Sequence, residues 1–196
     1  PETTEDLGLS RAGGGFVFGV MTLVGGVVAP VVGMAIGRFG LRLCMTFGFV
    51  ASAAGYYLTG LAQNVVHLTL TFGILVAGTH AFAGLLPTQT IASVWFVRYR
   101  ARVMAALLAA SGLMSKAVYA FHAWVLETGS WRWGWELIAW INLGLGVFAF
   151  LCVRDSPEKL GQLPDGAASR EELEAASAGG ASRDLWTAQE ALRTYQ

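Results

Sequence analysis

The sequence predicts an all-α membrane protein with five transmembrane helices. Three observations carry that expectation. The chain of 196 residues is 55% hydrophobic and only 13% charged, against about 25% charged in an average soluble domain. It divides into five apolar runs, each near the ~20 residues that cross a bilayer. Its basic residues cluster in alternate connections between those runs. The formal net charge of +0 hides this segregation. Residues 1–153 hold eight Lys/Arg and five Asp/Glu, residues 154–196 hold five and eight, and no acidic residue lies between Asp6 and Glu127. No basic face interleaved with aromatics is present, so nucleic acid is not an expected partner.

Residues 1–12 are a polar, acidic lead-in. The first span covers about 13–36, without charge. It holds Gly15 and Gly19 four apart, Pro30, then Gly33 and Gly37 four apart. Such small-xxx-small faces let helices approach closely in a membrane. Gly33-Met-Ala-Ile-Gly37-Arg38-Phe39-Gly40-Leu41-Arg42 then forms a short, doubly basic turn. The second span covers about 41–62, and Gln63-Asn64 marks the next turn. The third, about 66–92, contains His80 and is broken near Pro87, where Thr88-Gln-Thr90 is expected to satisfy backbone groups locally. Trp95-Phe96 is an interfacial aromatic pair, followed by the basic cluster Arg98, Arg100 and Arg102. The fourth span covers about 103–126. Residues 127–135, with three tryptophans, read as an interfacial loop. The fifth covers about 137–153.

Lys/Arg counts in the connections alternate in the manner of the positive-inside rule. That places 37–42, 97–102 and residues 154–196 in the cytoplasm, and the N-terminus, the Gln63-Asn64 turn and the tryptophan loop outside. The expected location is a multi-pass integral protein of the plasma (cytoplasmic) membrane. Within 154–196, short helices are expected over about 169–174, with Ser169 and Glu172 as a capping box, and over about 185–193. The chain begins with Pro-Glu-Thr-Thr, and an odd number of spans starting outside fits a missing first helix. The expectation is a fragment.

Lys116 is the most informative single residue. It lies roughly 15–20 Å from either surface at 1.5 Å per residue, too deep to snorkel, and a charge there costs at least about 2.5–3.5 kcal/mol against lipid. At about 100° per residue, Ser111, His122, Ser115, Tyr119, Gly112 and Lys116 share one arc of the helix, and the opposite arc is wholly apolar. Lys116 is therefore expected to edge a polar face that looks into protein or a water-filled cavity. Its partner is an anionic ligand, a carboxylate elsewhere, or backbone carbonyls. It serves an anion or coupling-ion pathway, or it is a structural lysine. His80 is the second candidate, against packing among small residues. Cys44 and Cys152 lie in apolar runs without metal or disulfide spacing. His67, His80 and His122 fall at different depths, which argues against a metal site. No cofactor is expected, and no Ser/His/Asp grouping, H-E-x-x-H or phosphate-binding loop suggests an enzyme.

Gly33-x-x-x-Gly37-Arg38-Phe39-Gly40-x-Arg42 resembles the loop signature of the major facilitator superfamily, Gly-x-x-x-Asp-Arg-x-Gly-x-Arg/Lys. Trp95-Phe-Val-Arg98-Tyr-Arg100-Ala-Arg102, continuing to Ser111-Gly112, is similar to the run into helix five of its monocarboxylate-type branch. Arg154-Asp-Ser-Pro157-Glu158 through Asp165-Gly166 resembles the start of that branch's central loop, and Trp186 to Arg193 its lead into helix seven. The resemblance implies helices two to six of twelve, from the N-terminal half of the fold. It implies a secondary transporter of small organic anions, with a coupling ion (H⁺ or a counter-anion) and with helices one and seven to twelve as missing partners. A transporter of neutral, cationic or drug-like substrates is the alternative. Gly37 stands where the signature has Asp, a carboxylate that in the superfamily latches the two halves at the cytoplasmic side.

Overall fold

The computed structural model describes residues 10–167 and 171. Every regular element among them is helical: α1 (Arg11–Phe39), α2 (Leu41–Gly60), α3 (Val65–Leu68), a π-helix (Thr69–Val76), α4 (Ala77–His80), α5 (Leu85–Trp95), α6 (Arg100–Thr128) and α7 (Trp131–Cys152), then 3₁₀ turns at Pro157–Leu160 and Pro164–Gly166. Elements α3 to α5 make one interrupted span, so five helical stretches are long and apolar enough to cross a membrane. The expected helices near 169–174 and 185–193 lie outside the described residues, apart from residue 171.

Capping explains where the helices begin. Ser10 accepts from Gly13 N–H, Asn64 from His67 N–H and Ser130 from Trp133 N–H. Each side-chain oxygen satisfies an N–H that has no acceptor within its own helix. The Ser130 cap corrects the sequence reading of the tryptophan stretch. Only Gly129 and Ser130 lie outside helix there, and α7 begins at Trp131, not near residue 137. Trp131 is buried at 5% exposure, so this tryptophan is core.

Helices α2 and α7 pack along most of their lengths. Glycine makes this possible: a Cβ on Gly146 would lie 2.9 Å from Val50 Cγ2, and one on Gly60 3.2 Å from the Arg132 carbonyl oxygen. Tyr56 stacks on Trp135 at 5.7 Å. Span three crosses the other side of α2, where Gly48 meets the Phe82–Ala83 backbone and Ser52 shares a hydrogen bond with Thr79. Helix α1 lies against the π-helix through Val17, Phe18 and Val20. The glycine pairs expected to mediate close approach do not do so within the described residues: a Cβ on Gly15, Gly19, Gly33 or Gly37 would meet nothing within 4 Å.

Long-range hydrogen bonds sort the connections into two ends. At one end Arg132 Nη1 donates to the carbonyls of Gly60 and Ala62 at 3.0 and 2.9 Å, closing the C-terminus of α2. At the basic end, Arg42 N–H donates to Asp155, the Val97 and Arg98 N–H groups donate to Asp165, and Trp95 Nε1 donates to the Arg154 carbonyl. The segment after α7 thus folds back beneath both basic connections.

Candidate functional site

The break in span three is the first element of the site. Thr69, Thr71 and Thr79 donate back to the carbonyls of Val65, His67 and Leu75 at 2.7–2.9 Å. Threonines that bond four residues back bend and loosen helices, and here Thr69 and Thr71 lie within, and Thr79 just beyond, a wide π turn, a form common at functional sites. The helix then stops at His80 and restarts at Leu85. Gly84 sits at the restart because a Cβ there would come 3.1 Å from the His80 carbonyl oxygen. Pro87 falls in the first turn of α5, where its missing N–H breaks no hydrogen bond. Thr88 and Thr90 return hydrogen bonds to the Gly84 and Leu86 carbonyls, both at 2.8 Å.

α5 holds 11 residues, so at 1.5 Å each the break is about 16 Å from the basic end, near mid-depth of a ~30 Å hydrocarbon core. Gly84 offers no side-chain cap, so the first N–H groups of α5 have no intrahelical acceptor. A cavity of about 380 Å³ opens there, lined by Met21, Gly25, His80, Gly84, Leu85 and Leu86 among others. His80 is half-buried, and its Nδ1 is enclosed with no hydrogen-bond partner. An imidazole with a free nitrogen beside an uncapped helix N-terminus suits an anion or a proton.

Helix α6 is the second element. Every residue from Leu108 to Ala120 is exposed. Lys116 and Ser115 lie on this bare stretch, as does Tyr119 at 77% exposure. Ser115 donates to the Gly112 carbonyl at 2.7 Å and Ser111 to the Leu108 carbonyl at 2.8 Å, each turned back on its own helix. His122 is partly buried beside Phe121. The described residues therefore place Lys116, Ser115, Tyr119 and His122 along one helix. His80 stands on another, at the break.

The signature loop is the third element. Gly40 takes φ +84° and ends α1; a Cβ on it would press within 2.7 Å of an Asp155 oxygen. Gly40 also leaves the start of α2 without its own side-chain cap. Asp155 supplies that cap from the far end of α7, accepting from Arg42 N–H at 2.9 Å while Lys159 Nζ sits 2.6 Å from its other oxygen. Burial pushes the Asp155 carboxyl up, but the Arg42 N–H and the Lys159 ammonium outweigh it, and its pKa lies below the ordinary carboxylate value. The Arg42 side chain donates to the Phe150 carbonyl at 2.6 Å, with its guanidinium 4.3 Å from the Phe150 ring. Arg38 rests over Phe39, and Gly33 and Gly37 face open space. In the second basic cluster Arg98 and Arg102 flank the Tyr99 ring, and Arg100 opens α6.

Asp155, Asp165 and Arg132 are the structural residues that sequence reasoning missed. Each bonds backbone far away in the chain, so no local spacing points to it. The acidic residues just after the last apolar run were the available signal.

The family described as Major Facilitator Superfamily matches residues 1–194. Monocarboxylate transporter 13 of Bos taurus is 31% identical over 108 residues, covering 55% of this chain and 25% of its own. Monocarboxylate transporter 14 of Mus musculus is 26% identical over 139 residues, covering 71% and 27%. A triacylglyceride transporter of Mycolicibacterium smegmatis is 27% identical over 139 residues, covering 68% and 23%. The chain thus spans about a quarter of the length of these relatives.

Proposed function

The chain belongs to the major facilitator superfamily, and on that premise we propose that it is part of a secondary transporter of small organic anions of the monocarboxylate kind, working by alternating access. Membership places it among integral, multi-pass transport proteins. The observation that carries the finer reading is Lys116 on the bare face of α6. A mid-membrane ammonium needs an anionic or polar partner, and its own helix carries no acidic residue before Glu127. In this reading a carboxylate substrate docks at Lys116 with Ser115 and Tyr119 beside it. His80, at the break in span three, serves the coupling ion, a proton or counter-anion. Substrate and coupling sites near mid-depth, at interrupted helices, are a recurrent transporter arrangement. The remaining helices of the transporter close the cavity, and the basic end faces the cytoplasm of the plasma membrane.

Uptake of radiolabelled lactate, pyruvate and related acids into proteoliposomes holding the full-length protein tests this. Lys116→Ala is expected to cut anion uptake by at least about tenfold, the loss of a charge-assisted contact. Unchanged uptake of every carboxylate would sink the reading.

A second reading is favoured by a different observation. A groove of about 440 Å³ between α1 and α2, lined by Val31, Phe39, Leu43, Phe47 and Phe82, is almost wholly apolar. It suits a neutral or drug-like apolar substrate, and Lys116 is then structural. Competition of uptake by apolar compounds and not by carboxylates would select this alternative.

A further inference from the structure

Among the described residues, helix α6 is held only near its ends. At the tryptophan end Val125 is 1% exposed and sits on Gly134, where an added Cβ would come 2.8 Å from Val125 Cγ1. Trp124 and Trp133 meet beside it at 5.9 Å. Between those contacts and Leu107 the helix is almost bare. At the basic end its N-cap, Tyr99, makes no side-chain capping bond. The two N–H groups just ahead of it, on Val97 and Arg98, donate instead to Asp165 Oδ2 at 3.0 and 2.6 Å.

Asp165 is an unusual residue to find there. Among the described residues it is the one non-glycine with positive φ, at 59°, and its Oδ1 is buried with no hydrogen-bond partner. A left-handed backbone and a half-satisfied buried carboxylate each cost free energy. The contacts to Val97 and Arg98 are what offset that cost, since a carboxylate bridging two N–H groups makes a strong charge-assisted pair. The segment is also anchored upstream: the Arg154 carbonyl accepts from Trp95, and Asp155 is tied to Arg42 and Lys159.

We propose that residues 154–167 form a strap and that Asp165 is its clasp, a positioning residue that sets the tilt of α6. With the clasp closed, the start of α6 is fixed to the same segment that caps α2. With it open, α6 swings about the Val125–Gly134 contact, carrying the Lys116 side of the helix toward or away from whatever faces it. The device acts on helix position and does not depend on the identity of the substrate.

Hydrogen exchange on the full-length transporter in lipid nanodiscs tests the clasp. Asp165→Gly keeps the backbone shape and removes the carboxylate; Asp165→Asn keeps both an acceptor oxygen and tolerance of the left-handed region. Amides at 97–104 are expected to exchange at least about tenfold faster in Asp165→Gly and within about threefold of wild type in Asp165→Asn. Peptides from 41–60 and 131–152 should keep their rates in both variants. Spin labels on Leu108 and Leu151 should report a broadened distance distribution in Asp165→Gly. Unchanged exchange at 97–104, an equal rise across 41–60 and 131–152, or an unchanged label distribution would each overturn the proposal.

Discussion

Gly40 and Asp155 show how one backbone position ties two distant parts of the chain together. Gly40 adopts φ +84° and ψ 164°, a conformation open in practice only to glycine, and its missing side chain leaves room for the Asp155 carboxylate. Gly40→Ala therefore meets both a strained backbone and a clash, and should destabilise by about 1–3 kcal/mol, read as a lower melting temperature of the detergent-solubilised protein. The pH dependence follows from the lowered pKa of Asp155. A carboxylate whose pKa is depressed on folding contributes stability that is fully present above its ordinary value of 3.8 and is lost as pH falls through the lowered folded value. Asp155→Asn should thus be less stable than wild type near neutrality, with the two converging in strong acid. A constant gap between their melting temperatures down to pH 2 would show that charge at this site is unimportant. The sequence made Gly40 and Arg42 visible as a signature. It did not reveal that the acid capping the following helix lies 113 residues away, because a carboxylate after an apolar run looks like any solvated loop residue.

At the level of helices, the glycines separate into two groups that sequence spacing does not distinguish. Gly33 and Gly48 are both mid-helix glycines in apolar surroundings. A Cβ on Gly33 meets nothing within 4 Å, whereas one on Gly48 would lie 2.7 Å from backbone atoms of Phe82 and Ala83. Backbone cannot yield as a side-chain tip can. Gly48→Ala should cost about 1–3 kcal/mol by overpacking and Gly33→Ala about nothing, measured as thermal stability in the same detergent. Equal effects would mean that the α2–span three approach is softer than its distances imply. The five apolar runs, the Gln63-Asn64 turn and a disturbance around Pro87 were legible because length, polarity and proline act locally. The π turn, the four-residue break before Leu85 and the early start of α7 were not. They depend on threonine back-bonding, on the close approach of Gly84 to His80, and on the Ser130 cap with Trp131 packed in the core.

Across the whole molecule, α2, span three and α7 form the packed body, α1 lies against it with most of its surface exposed, and α6 stands largely apart. Exposure of α6 is of two chemical kinds. Single cysteines at Ser111, Ser115 or Lys116 in a cysteine-free full-length protein should react quickly with a membrane-impermeant thiol reagent, and cysteines at Leu113, Ala117 or Trp124 slowly or not at all. Uniform protection of both sets would place the whole helix in lipid or tight packing and remove the water-filled pathway. Lys116 was legible from its depth and its arc, whereas the bareness of its helix needed the fold. That bareness has a bearing on biosynthesis. When α6 leaves the insertion machinery α7 has not yet followed it, and the earlier helices leave residues 108–120 uncovered, so α6 enters the bilayer with Lys116 still lacking a protein partner. Holding that charge in lipid costs about 2.5–3.5 kcal/mol, a debt the Leu, Val and Phe residues of its apolar arc are large enough to cover. The helix is thereby stable enough to wait, and uneasy enough to favour whichever later surface first offers the lysine a partner.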